Sequence, residues 1–442
     1  MNRTIRTLRR TAACGLAPLA IAALYGCSST PTRPALPPQL PGFITGQSPQ
    51  LQPYLKQLYA EGERNAVLNF NRLGVAAMVQ GQPELAAKAF DQSIQRIESV
   101  RAGGRDLEAA KSNFSTEASK DFKGEPYEKA MAYYYRGLVY LVGGDFSNAA
   151  ASFAQVNVED SVAEAQSYQA DFASAKLLQA WALRCNGESS TSEELYRQAL
   201  QMRPDLREID IRHPALAIVE SGRAPQKQGI GKYLERLTWS EGGGDTEAVS
   251  LQTGSGAAGT AVKAESLYFQ ASTRGGRPVE YLLQGKANFR DNAGTAANIG
   301  SAVALAGLVK ADLDSRAGNA NGALNSSYVS LAGSLFSMFS SAVEKSTTPA
   351  ADTRAWDSLP ASIWLATPRL GGGSMAQLRA QSDSAANSTT PQLVGRNARC
   401  SVAWLRLSPL PAVVPSAVEA IDGSSESVAR LRKFQAALPS LL

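Results

Sequence analysis

Histidine is almost absent from this chain of 442 residues, which contains only His213. One imidazole excludes a His-cluster metal site, and a Cys-His pair or a Ser-His-Asp triad has no other histidine to be built on. His213 precedes Pro214 where a predicted helix gives way to a predicted strand, so we interpret it as a structural residue. We therefore predict no catalytic residue, no metal site and no cofactor.

One glycine pattern is formally typical of nucleotide binding. The stretch Gly254-Ser-Gly-Ala-Ala-Gly259 matches G-x-G-x-x-G, and in a dinucleotide-binding fold that pattern opens a helix. Here Thr260-Ala-Val-Lys-Ala264 follows, which has the composition of a strand. We interpret the glycines as part of a flexible loop or hairpin tip over residues 241–259.

Acidic residues are absent from the first 26 positions, where four arginines stand. The apolar stretch from Thr11 to Tyr25 is shorter than the roughly 20 residues of a spanning helix and has the length of a signal-peptide core. It ends in Leu24-Tyr25-Gly26-Cys27, which resembles the lipobox of bacterial lipoproteins. We predict a signal peptide over 1–26, acylation of Cys27 and a flexible tether over 27–50.

The residue after Cys27 bears on which membrane a lipoprotein is sorted to. In the lipoproteins that this segment resembles, an acid at that position favours the inner membrane, whereas this chain has Ser28. We expect a lipid-anchored cell-envelope protein on the outer membrane, facing the periplasm. The alternatives are an ordinary secretory signal with a chance cysteine, or twin-arginine export through Arg9-Arg10.

Charge and cysteine content restrict the partners and crosslinks. From Cys27 onward the chain carries 40 basic and 39 acidic residues, without a basic face, so we expect no nucleic-acid partner. If Cys27 is acylated, Cys185 and Cys400 are the only pair left for a disulfide, which an oxidising envelope permits. Nothing in the sequence places them within bonding range, so we favour two buried thiols.

Three segments fit the tetratricopeptide pattern, in which two helices form a unit of 34 residues. Small residues allow the two helices to approach, and aromatic residues fill the space between neighbouring helices. We predict a degenerate TPR-like α-solenoid over 51–215. The main matching residues are Gly74, Ala86, Phe90, Tyr133, Gly137, Ala149, Phe153, Ala180, Tyr196 and Ala199.

The pattern after Pro204 predicts a second domain, of α+β class, over 216–442. The predicted fold class of the whole chain is therefore multidomain α and α+β. Residues 294–345 are predicted to form a low-charge helical hairpin, and 323–343 carries no charge. Its seven serines make a poor lipid-facing helix, so we favour a buried hairpin over a membrane-inserting one. Predicted strands are Ala215–Glu220, Ala264–Gln270, Ser362–Ala366, Val394–Arg399 and Val402–Leu407, and a predicted terminal helix is Ser425–Ala437.

Three stretches carry a resemblance to a known family. They are Phe122-Lys-Gly-Glu-Pro-Tyr-Glu-Lys129, Val219-Glu-Ser-Gly-Arg-Ala-Pro225 with Lys227, and Ala351-Asp-Thr-Arg-Ala-Trp-Asp-Ser-Leu-Pro-Ala361. With the repeats, they make the chain similar to a family of uncharacterised tetratricopeptide-containing lipoproteins of Gram-negative bacteria. The family has no assigned reaction, so the resemblance implies architecture and location. The loop over 241–259 and the tail beyond 371 match nothing in the family.

The second repeat offers candidate interaction residues. Tyr133, Tyr134 and Arg136 lie on its predicted first helix, where they could contact a peptide or a helix in the concave groove of the array. Alternatively, Tyr133 packs between neighbouring helices, as its position in the repeat suggests.

A second candidate surface is the cluster of Asp352, Arg354 and Trp356. An arginine and a tryptophan beside an acid are typical of an interaction hot spot. In the interpretation that we favour, Trp356 and Leu359 fill the core while Asp352 and Arg354 pair locally in a turn.

The function that these observations favour is that of a lipid-anchored scaffold or adaptor, not an enzyme. It would contact envelope proteins through its repeats and the membrane through its N-terminal lipid. The alternative is an envelope enzyme or ligand-binding lipoprotein that uses the C-terminal domain, with cell-wall or surface polysaccharide as its ligand. A large enclosed pocket lined by paired acids would favour that alternative.

Overall fold

The protein combines a layer of helices with a curled eight-stranded sheet, as the expected mixed α and α+β class requires. The predicted signal peptide, Cys27 and the low-charge hairpin over 294–345 lie outside the described residues. The structure is a computed structural model, and it describes residues 41–102, 121–160, 171–232, 234–273, 351–383, 387–413 and 425–442.

Six helices form three successive pairs, each joined by two or three residues. Short connections of this kind make the two helices of a pair antiparallel neighbours. No helix in the described part of the chain has the length and apolar character needed to cross a membrane. The pairs are α3 (Ala66–Val79) with α4 (Pro83–Ala102), α5 (Pro126–Gly143) with α6 (Phe146–Asp160), and α7 (Ala173–Asn186) with α8 (Ser189–Met202).

The two helices of a pair differ in exposure. Every residue of α3 from Ala66 to Met78 is buried, and most residues of α5 are buried as well. By contrast, α8 buries only Ser192 and Ala199. The first helix of each pair is therefore an inner helix, and the second faces outward.

The predicted tether is folded over its last ten residues, which corrects that prediction. The short helices α1 (Gly42–Thr45) and α2 (Gln52–Glu61) precede the first pair. Ile44 and Leu51 are fully buried, in one cluster with residues of the terminal helix α10 (Ser425–Leu441). Burial of these apolar side chains holds the segment against the helices, so residues 41–50 do not form a flexible tether.

The main sheet has the strand order β8-β7-β4-β5-β6-β1-β10-β9. The sixth and seventh strands in this order, β1 and β10, are parallel, and the other neighbouring strands are antiparallel. A separate hairpin is formed by β2 and β3. The strands are β1 (Ala215–Ser221), β2 (Gln226–Ile230), β3 (Arg236–Ser240), β4 (Val249–Thr253), β5 (Gly256–Ser266), β6 (Ser362–Ala366), β7 (Arg379–Ser382), β8 (Ser388–Thr389), β9 (Leu393–Arg396) and β10 (Ser401–Arg406).

Strand β1 is buried along its whole length, because both faces of the sheet are covered. Leu216 and Ile218 point to the helices and join their core. Ala217 and Val219 point to the opposite face and join a second apolar cluster within the curl of the sheet. Because side chains alternate between the two faces of a strand, Glu220 points toward the helices, as Leu216 and Ile218 do.

The helix-facing core continues across the predicted domain boundary at 215/216. It contains Trp181 from α7 together with Ile218 from β1 and Trp404 from β10. A disulfide joins Cys185 at the end of α7 to Cys400 beside β10, so the expectation of two free thiols is wrong. The division into two domains stays a prediction, but its boundary falls within one shared core.

Two predictions in the 241–270 region need correction. The predicted loop over 241–259 contains β4 and the first residues of β5, so only part of it is loop. The predicted strand Ala264–Gln270 ends at Ser266, whose Oγ accepts a hydrogen bond from Phe269 N at 3.3 Å. This N-cap opens the short helix α9 (Leu267–Ser272).

Candidate functional site

The three stretches that carry the family resemblance meet in space at one buried group of charges. We call Glu125, Glu128, Lys227, Asp352 and Arg354 the Lys227 cluster. Lys227 Nζ lies 3.0 Å from Glu125 Oε1 and 3.8 Å from Glu128 Oε2, and it donates to Arg354 O at 2.8 Å. Residues from the start of α5, from β2 and from the 351–361 segment are thereby joined.

Each charge in the Lys227 cluster has a partner. Glu128 Oε1 accepts from Trp356 N at 2.7 Å, and its Oε2 accepts from Glu125 N at 2.7 Å as part of a capping box on α5. Burial raises the pKa of Glu128, although Lys227 and the Trp356 N–H oppose this shift. A buried pair of this kind fixes the arrangement of the segments, and removing one partner would leave an uncompensated charge.

A second buried network lies at the ends of the two parallel strands. Glu220 Oε2 accepts from Arg406 Nη1 at 2.8 Å and from the Tyr135 hydroxyl at 3.0 Å. Its Oε1 accepts from Trp404 Nε1 at 3.0 Å. Burial raises the pKa of Glu220, while Arg406, Trp404 and Tyr135 act in the opposite direction. The Tyr135 ring lies 5.6 Å from the Trp356 ring, which connects this network to the Lys227 cluster.

A third polar group lies on the opposite face of the sheet and is partly open to solvent. Asp245 accepts from Ser221 Oγ and Ser362 Oγ, both at 2.6 Å, and from Lys263 Nζ at 2.7 Å. Burial alone would raise the pKa of Asp245, but these three hydrogen bonds and the Lys263 charge lower it overall. Ser221 donates its proton to a carboxylate and accepts from Trp364 Nε1, so both hydrogen-bonding roles of its hydroxyl are in use.

Of the two candidate surfaces, the 352–356 segment is placed mainly in the interior. Trp356 is 1% exposed and Arg354 7%. Arg354 pairs with Asp352 at 2.7 Å and also donates to Asn65 Oδ1 at 2.7 Å. This arrangement is the local turn with a core tryptophan that we favoured, and a buried Trp356 cannot act as a surface hot spot.

The candidates in the second repeat are also largely covered. Tyr134 is fully buried among the rings of Phe153 and Phe172. Tyr133 donates to Glu98 Oε1 at 2.7 Å, and Arg136 pairs with Asp91 at 2.6 Å. The groove hypothesis is wrong for Tyr134, because the rings of neighbouring helices enclose its side chain and leave it no exposed surface.

The sequence motifs that resemble sites have structural roles. His213 Nδ1 accepts from Ala215 N at 3.1 Å, and His213 O accepts from Trp181 Nε1 at 3.2 Å. The glycine pattern 254–259 forms the turn between β4 and β5 and continues into β5, without the helix that dinucleotide binding requires. Within the described ranges, no three His, Cys, Asp or Glu residues are grouped so that they could hold a metal ion.

One shallow, charged depression in the described residues has a volume of about 340 Å³. It lies beside α8, not in the C-terminal region where the enzyme alternative would place a polysaccharide site. Its lining residues are Glu193, Tyr196, Arg207, Asp210, Ile211 and Arg212.

Sequence reasoning missed the pairing of Glu220 with Arg406, although a signal was present. Ala215-Leu-Ala-Ile-Val-Glu220 and Val402-Ala-Trp-Leu-Arg406 are apolar runs that each end in one charge, and the two charges have opposite signs. Because β1 and β10 are parallel with Glu220 opposite Arg406, the two charges meet. Charges at matching ends of apolar strands therefore predict a buried pair.

Comparisons with models of protein families, with curated proteins and with solved structures find no match to this chain.

Proposed function

We propose that this chain is a lipid-anchored scaffold or adaptor of the cell envelope that acts by protein–protein contact through TPR-like helices. In this proposal Cys27 carries the lipid, and the folded part faces the periplasm from the outer membrane. The support for the anchor is the lipobox-like Leu24-Tyr25-Gly26-Cys27 and the basic, acid-free segment before it.

The TPR-like assignment is supported by a repeated contact within the helix pairs. A Cβ atom on Gly74 would lie 2.6 Å from the Phe90 ring, and one on Gly137 would lie 2.8 Å from the Phe153 ring. Each phenylalanine lies the same number of residues after its glycine, because each contact joins equivalent turns of the inner and the outer helix. A small residue is needed there, since real Cβ atoms do not approach so closely.

The observation that carries the proposal is the opposite exposure of inner and outer helices. The inner helices α5 and α7 pack against the chain's own sheet, as the contact of Tyr135 with Glu220 illustrates. The outer helices α4, α6 and α8 present exposed positions to solvent, among them Ala151 on α6 and Thr191 on α8. We therefore place the partner surface on the outer helices instead of the concave groove.

Site-specific photocrosslinking in intact envelopes tests this placement. A photoreactive amino acid is introduced at Ala151 on α6, at Thr191 on α8 and, as a matched control, at the exposed Gln252 on β4. We expect discrete adducts with envelope proteins from the two outer-helix positions and none from Gln252. Adducts from Gln252 alone, or from none of the three, would contradict the proposal.

The anchor is tested in the same strains by Cys27→Ala. Loss of the acylated thiol should move the protein from the membrane pellet to the soluble fraction and abolish incorporation of labelled palmitate. A mutant that still pellets with membranes, or still takes up palmitate, would rule out lipidation at this residue. The Cys14→Ala variant, which changes a cysteine within the predicted signal peptide, is the control and should behave as the parent.

A further inference from the structure

Glu265 is a carboxylic acid in the protein interior with no cation at ion-pair distance within the described residues. It lies at the end of β5, just before α9, and is 4% exposed. Its oxygens accept from Ser174 Oγ at 3.1 Å, from Ser174 N at 3.5 Å and from Gln270 Nε2 at 3.0 Å. These contacts join the sheet to the first turn of α7 and to α9.

The charged groups around Glu265 do not compensate an ionised carboxylate. Asp160, at the end of α6, adds a negative charge, whereas Arg203 acts in the opposite direction. The Arg203 guanidinium is already bonded to Asp205 and to the carbonyl of Lys263. Burial and Asp160 therefore outweigh Arg203 and the hydrogen bonds, and they raise the pKa of Glu265 to about 7.

The remaining titratable groups nearby are neutral, negative or bonded elsewhere. Asp171 accepts from Gln270 Nε2 at 3.3 Å, and it would repel an ionised Glu265. Tyr134 on α5 has a pKa raised well above the ordinary value by burial and by Glu220 and Glu265, so it stays neutral. Lys176 on α7 bonds to Gln198 Oε1 at 3.2 Å.

We propose that Glu265 is a proton-operated latch that holds α9 and the start of α7 to the sheet. With its proton, the side chain is a neutral hydrogen-bonding group that suits its buried position. Without the proton, it places an unpaired negative charge beside Asp160 in the interior. Ionisation favours local opening of α9 and the start of α7, because the open state returns the carboxylate to water.

The direction with pH follows from linkage. In the closed state the pKa is about 7, and in the open state the carboxyl returns to its ordinary value of 4.5. The latch is therefore fully stabilising below pH 4.5, and its contribution is lost as pH rises to about 7. Between pH 5.5 and 8.5 the population of the open state should rise up to about 30-fold.

Hydrogen exchange on the full mature chain tests the latch. Protection factors, corrected for the intrinsic pH dependence of exchange, are measured for 267–272 and 173–178 at pH 5.5, 7 and 8.5. We expect protection in both segments to fall with pH in the parent, by up to about 30-fold. In Glu265→Gln, which keeps the shape without the charge, we expect protection independent of pH.

Two further variants separate the latch from general loosening. Asp160→Asn removes the like charge and brings the closed-state pKa of Glu265 nearer its ordinary value, so the fall in protection should be smaller than in the parent and complete at a lower pH. Glu220→Gln alters another buried carboxyl, which has Arg406 as its partner, and it should leave the pH dependence at 267–272 in place. Protection independent of pH in the parent, or an unchanged pH dependence in Glu265→Gln, would overturn the proposal.

Discussion

The helical pairs and the sheet are built from contacts of different range. In the pairs, the defining contacts lie within one helix hairpin, as between Gly137 and Phe153. The sheet depends on contacts between residues far apart in the sequence. Glu220 on β1 pairs with Arg406 on β10, 186 residues later, and Tyr135 on α5 donates a hydrogen bond to Glu220, 85 residues later. Contacts between residues close in sequence therefore shape each helix pair, while contacts between residues distant in sequence decide what covers the pairs.

The two regions also differ in the chemistry of their contacts. Within the pairs, apolar and aromatic groups fit against small residues. Between the helices and the strands, contacts include buried polar ones, such as the pair of Glu128 with Lys227 on β2 and the hydrogen bond of Tyr135 to Glu220 on β1. Such groups are costly without their partners, so the helices depend on the sheet more than an ordinary solenoid depends on a neighbouring domain.

The largest expected effect comes from separating the two regions. The fragment 51–215 would expose Tyr135 and leave Glu128 without Lys227, so we expect helical content without a cooperative thermal transition. Circular dichroism at 222 nm, followed during heating, measures this against the full mature chain. A cooperative transition in the fragment would show that the helical pairs are an independent domain.

A smaller effect is expected when one long-range contact is broken. Arg406→Met keeps an apolar stem but removes the cation that Glu220 faces, which should lower the free energy of unfolding by about 3–5 kcal/mol. Chemical denaturation at pH 7 measures the difference. The control is Arg197→Met on the exposed surface of α8, where a change below about 0.5 kcal/mol is expected. Equal effects of the two substitutions would mean that the buried pair has no special role.

The smallest effect is expected for one local contact. Gly137→Leu inserts a side chain where the Phe153 ring stands, which should lower the free energy of unfolding by about 1–3 kcal/mol. Gly143 is the matched control on the same helix, because a Cβ atom there meets nothing within 4 Å. Gly143→Leu should leave the melting temperature unchanged or raise it slightly, since leucine favours helix. If Gly143→Leu were the more damaging change, the packing assigned to the second pair would be wrong.

Sequence patterns predicted several elements well where periodicity and end signals coincided. The strand Ser362–Ala366 has its predicted bounds, and β1 begins at the predicted Ala215. The strand Ala264–Gln270 failed after Ser266, because a serine N-cap outweighed the apolar run that follows it. The tether prediction failed because the apolar residues Ile44 and Leu51 find their partners on α10, at the other end of the chain.

The candidate site was predictable only in part. Charged residues were visible in the stretches around Glu125, Lys227 and Arg354, but nothing local showed that the three stretches meet. The pairing of Cys185 with Cys400 was undetermined for the same reason, since a disulfide depends on the distance between two Cα atoms. The burial of Trp356 agrees with the interpretation favoured from the sequence, in which it fills the core.

The sequence by itself determined the helical pairs and the apolar strands β1, β6 and β10, because these depend on residue periods and short spacings. The tertiary structure alone decided that the sheet covers α5 and α7, that Cys185 bonds to Cys400, and that, among the described residues, Glu220 has a cation at ion-pair distance while Glu265 has none. The physical reason is that burial, pairing and proton affinity are properties of the space around a side chain. That space is formed by residues far away in the chain, which no local pattern records.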